Sequence, residues 1–274
     1  MSLLLGSAVP MVRAADVFNV LEFGAVADGQ TDNTAAFQRA LDAAAQRGGG
    51  VVYAPRGNYR FAGSLRVPPA VTLRGVWESV PAHNGIRDRG LPKPTDDGTT
   101  FLVTGGAGSE DGPPFITLHH NSTLKGVVIY YPDQDPESEP KPYPWAIAMR
   151  GKNPAVLAVE LLNPYNGIDA SENERHLIRD VHGQPLRRGI YVDAIYDIGR
   201  IEDVLSILDG VCGPRCGPGS NNTARPLFLG AATGSMCSTR SVSVTAWGTS
   251  SSPHVPGCAT AISWGSVRMT VTRR

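Results

Sequence analysis

The sequence predicts an all-β solenoid, a stack of short strands that opens with one amphipathic helix. Three observations predict it. The 274 residues include 31 Gly and 22 Pro, a balance that suits many turns rather than long helices. Short apolar segments begin at 155, 176 and 199, spacings of 21 and 23 residues. A repeat in the low twenties built from strands and turns implies coils that bury their faces on one another. Finally, one stretch near the start, 36–46, carries helical periodicity.

The first elements can be read residue by residue. Val17, Phe18, Asn19 and Val20 alternate as a strand, and Thr31 or Asp32 is placed to cap a helix. Ala36, Phe37, Ala40, Leu41 and Ala44 recur at three- and four-residue spacing and form its apolar face. Gly48, Gly49 and Gly50 end it, because glycine takes the left-handed conformation without steric cost. Strands are expected at 51–53 and 59–61, with a turn over 55–58 between them. A helix lying across the first strands would cover the open end of the stack.

Further β segments are expected at 71–76, 122–129, 155–161, 176–181 and 199–204. Two stretches rich in proline and charge, 77–98 and 132–144, cannot join a ladder and should lie outside it as loops.

These residues resemble a known family. Asn19-Val20, Phe23-Gly24-Ala25, Asp28-Gly29 and Thr31-Asp32-Asn33-Thr34 precede the helix, and Gly-Gly-Gly-Val-Val-Tyr-Ala-Pro-Arg-Gly-Asn-Tyr follows it. Together they look like the N-terminal signature of the pectate-lyase superfamily, in its rhamnogalacturonase and epimerase-like group. The signature covers about 17–76, with weaker likeness to about 204. The resemblance implies a single-stranded right-handed parallel β-helix with an N-terminal capping α-helix. It also implies an acidic, pectin-like polysaccharide as substrate, cleaved by glycoside hydrolysis or β-elimination. A non-catalytic glycan binder or tailspike-like structural β-helix is the alternative.

Lys plus Arg and Asp plus Glu stand at 25 each, so no global charge draws the chain to nucleic acid or anionic membrane. Residues 1–15 read as the remnant of a secretory signal, with Leu3 to Val12 mostly apolar and Val12-Arg13-Ala14 spaced like a cleavage site. That implies a secreted or periplasmic protein; the apolar run is too short for the roughly 20 residues of a membrane span.

From about residue 205 the composition changes. Residues 205–274 hold one acid, Asp209, all four Cys, six Arg, no Lys and no Tyr. The β repeat cannot be followed there, so we expect a break after 204 and a poorly ordered tail. Cys212 and Cys216 lack a second pair at zinc-like spacing, which argues against a metal site. Codons compatible with 234–251 and 259–272, started one nucleotide earlier, encode aromatic- and glycine-rich segments and an Asp-Asp pair. A translation-frame error in the gene explains that pattern, and it leaves this chain an incomplete, inactive β-helix.

A hydrolase of this fold needs two carboxylates facing one groove. A lyase needs a base beside a uronate carboxyl, and a cation (Arg, Lys or Ca²⁺) for the developing enolate. The stretch 179–203 is richest in such groups, and the candidates are Asp180, His182, Arg187, Asp193 and Asp197. Alternation along a strand places Asp180 and His182 on one face. No cofactor is expected, unless Ca²⁺ serves a lyase. Asp28 and Asp32 are read as turn and cap residues, His119 and His120 as a strand end, and 105–108 as a turn.

Overall fold

The computed structural model describes residues 16–81, 94–135, 138–195, 197–206, 237–246 and 267–271. The protein is mostly β, with parallel sheets and, among the described residues, one α-helix. Three parallel ladders carry the structure. The first joins Val17–Asn19, Gly50–Tyr53 and Val71–Arg74 to the leading halves of Thr123–Tyr130, Ala155–Leu162, Leu177–Gly183 and Asp197–Ser206. The second joins Asp28–Asp32, Gly57–Phe61 and Thr99–Val103 to the trailing halves of the same long strands. The third is a separate sheet of Leu65–Val67, Ile116–Leu118, Trp145–Met149, Asn166–Asp169 and Arg188–Tyr191.

The pairs Ala155↔Leu177 and Leu177↔Arg200 return the chain to the same ladder position. Inward columns then repeat in kind. Leu73, Leu124, Val156, Ile178 and Ile201 stack in the first ladder, and Val127, Val159, Val181 and Val204 in the second, all buried. Burying each such side chain stabilises the fold by about 1.5–3 kcal/mol. The long strands bend between the two ladders at Gly126, Ala158, Asp180 and Asp203, every one with positive φ.

The helix is Thr34–Gln46, two residues longer at its start than expected. Its cap is one of the two expected residues, acting from the position before the N-cap. Asn33 occupies the N-cap position but turns its side chain to Val26, accepting from Val26 N–H at 2.7 Å and donating to Val26 O at 2.9 Å. Asp32 does the capping instead, accepting from Thr34 N–H at 3.1 Å and Thr34 O–H at 2.6 Å. Asp28 likewise accepts from the N–H groups of Gln30 and Thr31, both at 2.8 Å. Helix residues Ala36, Phe37, Ala40, Leu41 and Ala44 are buried. Phe37 reaches furthest, with ring centroids 5.1, 4.9 and 5.5 Å from Tyr59, Phe61 and Phe101.

The 132–144 insertion folds back on the stack. Gln134 accepts from Lys141 N–H and donates to Lys141 O, each at 3.0 Å, and Tyr143 packs on Tyr131 with centroids 5.0 Å apart. Of the 77–98 insertion, 82–93 lie outside the described residues, as do 1–15 and most of the tail.

The expected boundary near 204 falls close to the end of a strand. The strand Asp197–Ser206 runs through it, paired to Leu177–Gly183 as far as Gly183↔Ser206. The tail also supplies strands where none was expected: Cys237–Ala246 runs antiparallel to Asp197–Ser206, and Val267–Val271 antiparallel to Cys237–Ala246. Antiparallel pairing needs no coil period, so the lost repeat did not forbid it. Cys212, Cys216 and Cys258 lie outside the described residues.

Candidate functional site

The third ladder gathers the chemistry. Trp145, Asn166 and Arg188 share one column, Ile147, Ile168 and Ile190 the next register pair, and Ala148, Asp169 and Tyr191 the column after it. The isoleucines enter the core, while Trp145, Arg188 and Tyr191 remain half-buried. The Arg188 guanidinium lies 5.8 Å from the Trp145 ring centroid, and the Trp145 and Tyr191 rings stand 6.1 Å apart at 31°. Such a cation over an aromatic face is worth about 0.5–1 kcal/mol when partly exposed. Among the described residues Arg188 has no carboxylate within ion-pair distance.

The carboxylates around this strip are engaged. Asp169 pairs with Arg150 through one oxygen, and the other accepts from Ser171 N–H at 3.0 Å and Ser171 O–H at 2.6 Å. Arg150 also donates to the carbonyls of Met149 at 3.0 Å and Ser171 at 3.2 Å, which ties neighbouring rungs together. Tyr191 O–H donates to Asp193 at 2.9 Å, and Ala194 N–H donates to the other Asp193 oxygen at 2.8 Å. Burial, then that hydrogen bond, pushes the Tyr191 phenol up to about 12. Just before the strand, Arg187 pairs with Glu110 and stands 5.5 Å from the Tyr165 ring centroid.

The expected site residues do not share one groove. Asp180 and His182 sit in Leu177–Gly183, in the large sheet rather than the third ladder. Both avoid the core while Val181 between them is buried, so they do lie on the outer side together. Burial lowers the His182 pKa, and the Asp180 charge partly restores it. Asp197 starts the next strand and pairs with Arg175 at 3.5 Å. Arg187 and Asp193 alone flank the aromatic strip. The stretch 179–203 reads as one cluster, but the chain passes from the large sheet to the third ladder and back within it.

Sequence reasoning passed over Trp145, Arg150, Asp169 and Tyr191, and left Arg188 within the charged stretch 179–203 without a role. A signal was available: Trp145, Asn166 and Arg188 recur at the same low-twenties interval that found the strands of the first ladder.

Among the described residues no three His, Cys, Asp or Glu side chains gather as a metal site. Calcium takes six to eight oxygens. Here the oxygens of Asp169 and Asp193 already face Arg150, Ser171, Tyr191 and Ala194. The donor set does not fit that ion, and the cation on this face is arginine.

A family described as rhamnogalacturonase A/epimerase, pectate lyase-like, matches at the start of the chain. The match covers residues 17–105. The chain is similar to the mannuronan C5-epimerase AlgE2 of Azotobacter vinelandii, 56% identical over 108 residues, or 38% of this chain and 11% of that protein. Alginate lyase 7 of the same organism is 56% identical over 46 residues, 17% of this chain and 5% of that protein. The matched segments thus span a small part of either relative. An exopolygalacturonase from Thermotoga maritima superposes with a TM-score of 0.39 at 14% identity, over 68% of this chain and 57% of that one.

Proposed function

We propose that this protein binds acidic polysaccharide along the third ladder, through Trp145, Arg188 and Tyr191. The observation that carries the reading is the Arg188 guanidinium over Trp145, with no carboxylate in ion-pair distance among the described residues, beside a second aromatic ring. Aromatic faces stack on sugar rings, and a planar guanidinium matches a uronate carboxylate. The names of the relatives make mannuronan the first polymer to test.

The chemistry such a face serves is removal of the proton beside the uronate carboxyl. The resulting enolate charge falls on the carboxyl group, where Arg188 would stabilise it. Return of a proton from the other side inverts that carbon; loss of the linking oxygen instead breaks the chain. Glycoside hydrolysis, the other mode, needs a free carboxylate pair, and Asp169 and Asp193 are both held by neighbours. Among the described residues the strip's carboxylates, the groups that could act as a base, are engaged by neighbours, so this chain is expected to bind without turning over. A glycan-binding role alone is the same face without that base.

The reading includes a right-handed β-helix whose first coil is covered by Thr34–Gln46, and a secreted or periplasmic location. Calorimetric titration with mannuronan oligosaccharides tests it. We expect binding that weakens with salt, with neither unsaturated product nor inverted sugar. Absence of binding to any polyuronate would sink the reading.

A further inference from the structure

We propose that Arg187 is a second carboxylate-binding position of this face, closed in the free protein by the carboxylate of Glu110. The inference rests on the acidic-polysaccharide reading above. Two arginines adjacent in sequence stand in different states: among the described residues Arg188 lies over Trp145 with no acid, whereas Arg187 lies over Tyr165 and pairs with Glu110. Both members of that pair are about one-third exposed, with side-chain exposures of 31% and 30%. The paired nitrogen of Arg187, Nη1, is itself buried, so a ligand reaches it only by displacing Glu110.

Glu110 comes from far along the stack. It lies in 104–115, between the strands Thr99–Val103 and Ile116–Leu118. Ile116–Leu118 pairs with Trp145–Met149, that with Asn166–Asp169, and that with Arg188–Tyr191. Three rungs separate the two, about 14 Å at the usual strand spacing. The segment crosses them held at few points: Gly108 N–H donates to Pro142 O at 2.8 Å, and Phe115 N–H to Trp145 O at 2.9 Å. Gly106 and Gly112 pass so close to Pro144 that a Cβ on either would stand 2.9 Å from its ring. Glycines at both passes let the segment lie flat there, with Glu110 between them.

The position needs an anion. Burial and the charge of Arg188 both act against the Arg187 cation. Partly exposed ion pairs contribute only about 0.2–1 kcal/mol, so a polymer that also stacks on aromatic rings can exchange its carboxylate for that of Glu110. A polyuronate carries one carboxylate per sugar, and Arg188 and Arg187 together offer two successive positions. Neutral polysaccharide has nothing to exchange.

The test is titration of the full chain and its Glu110→Gln, Arg187→Met and Arg188→Ala variants with mannuronan oligosaccharides, and with neutral mannan oligosaccharides as control. Glu110→Gln should tighten mannuronan binding about two- to fivefold, the range that an ion pair of this strength converts to. Arg187→Met should abolish that gain when combined with Glu110→Gln. Neutral mannan should not discriminate among the variants. Binding by the parent chain that weakens in Arg188→Ala but is unchanged or weaker in Glu110→Gln overturns this proposal and leaves the reading of the face intact. If neither the parent nor Glu110→Gln binds, both fall. Binding by Glu110→Gln alone supports closure by Glu110. Thermal midpoints of all variants are read alongside, and a Glu110→Gln chain that loses both stability and binding assigns Glu110 a purely structural role.

Discussion

The imidazole of His176 sits against the backbone of Gly199 so closely that a Cβ on residue 199 would stand 2.3 Å from its Cε1. The contact joins neighbouring strands of the first ladder, since Arg200 N–H donates to His176 O at 2.9 Å. His176 is buried and cannot move outward without losing its bond to Asn173. Gly199→Ala should therefore destabilise the protein by about 1–3 kcal/mol, the usual cost of overpacking. A denaturant midpoint equal to that of the parent would show that the ring has room to yield.

The same histidine gives the protein a pH response. Asn173 Nδ2 donates to Ala170 O at 2.7 Å, which leaves Asn173 Oδ1 as acceptor for His176 Nδ1 at 2.8 Å. Nε2 is then the unprotonated nitrogen, buried and without a partner among the described residues. A second proton would create a charged donor with no acceptor, and burial lowers the His176 pKa from 6.5 to about 4. The unfolded chain binds that proton first. Stability from this group is thus complete above pH 6.5 and is lost as pH falls toward 4, by about 3 kcal/mol at the limit. Thermal unfolding of His176→Gln should vary less between pH 7 and pH 5 than that of the parent. Parallel curves for the two proteins would remove His176 as the cause.

Phe37 links the helix to the strands through Tyr59, Phe61 and Phe101, and it is fully buried. Phe37→Ala should cost about 3–5 kcal/mol and shift the unfolding of the whole molecule as one transition. A separate early transition would mean that the helix unfolds apart from the strands beneath it.

The first ladder was legible because its strands are built from Val, Leu and Ile at alternating positions, as in 122–129 and 155–161. The third was not. Asn166-Gly167-Ile168-Asp169 has the composition of a turn, yet it is a buried strand of four residues. Its glycine is required by closeness: a Cβ on Gly167 would stand 2.4 Å from the Gly189 carbonyl oxygen. Local chemistry pointed one way and stacking on the next coil decided the other. Because the candidate face lies on this ladder, its residues were hidden with it. Arg187 and Asp193 were reached only because they lie within the charged stretch 179–203. The tail misled for a different reason: dense Ser and Thr masked the alternation of Val242 and Val244 in Cys237–Ala246.

The two locations for the functional residues separate experimentally at Asp180 and Arg188. Asp180 occupies a bend with φ of 53°, its carboxylate 3.9 Å from Arg179 and about half exposed. Asparagine tolerates that backbone as well as aspartate does, so Asp180→Asn should leave stability within about 0.5 kcal/mol of the parent. Asp180 is in the large sheet and Arg188 in the third ladder. Asp180→Asn should then leave mannuronan binding unchanged. Arg188→Ala removes the cation that faces a uronate and uncovers Trp145; loss of one charge-assisted contact of about 1.5–3 kcal/mol weakens binding roughly ten- to a hundredfold. Trp145→Ala should weaken binding without reducing its salt dependence, because it removes a stacking surface and no charge. The opposite ranking, with Asp180→Asn abolishing binding and Arg188→Ala neutral, would move the functional face to the large sheet and restore the reading taken from 179–203.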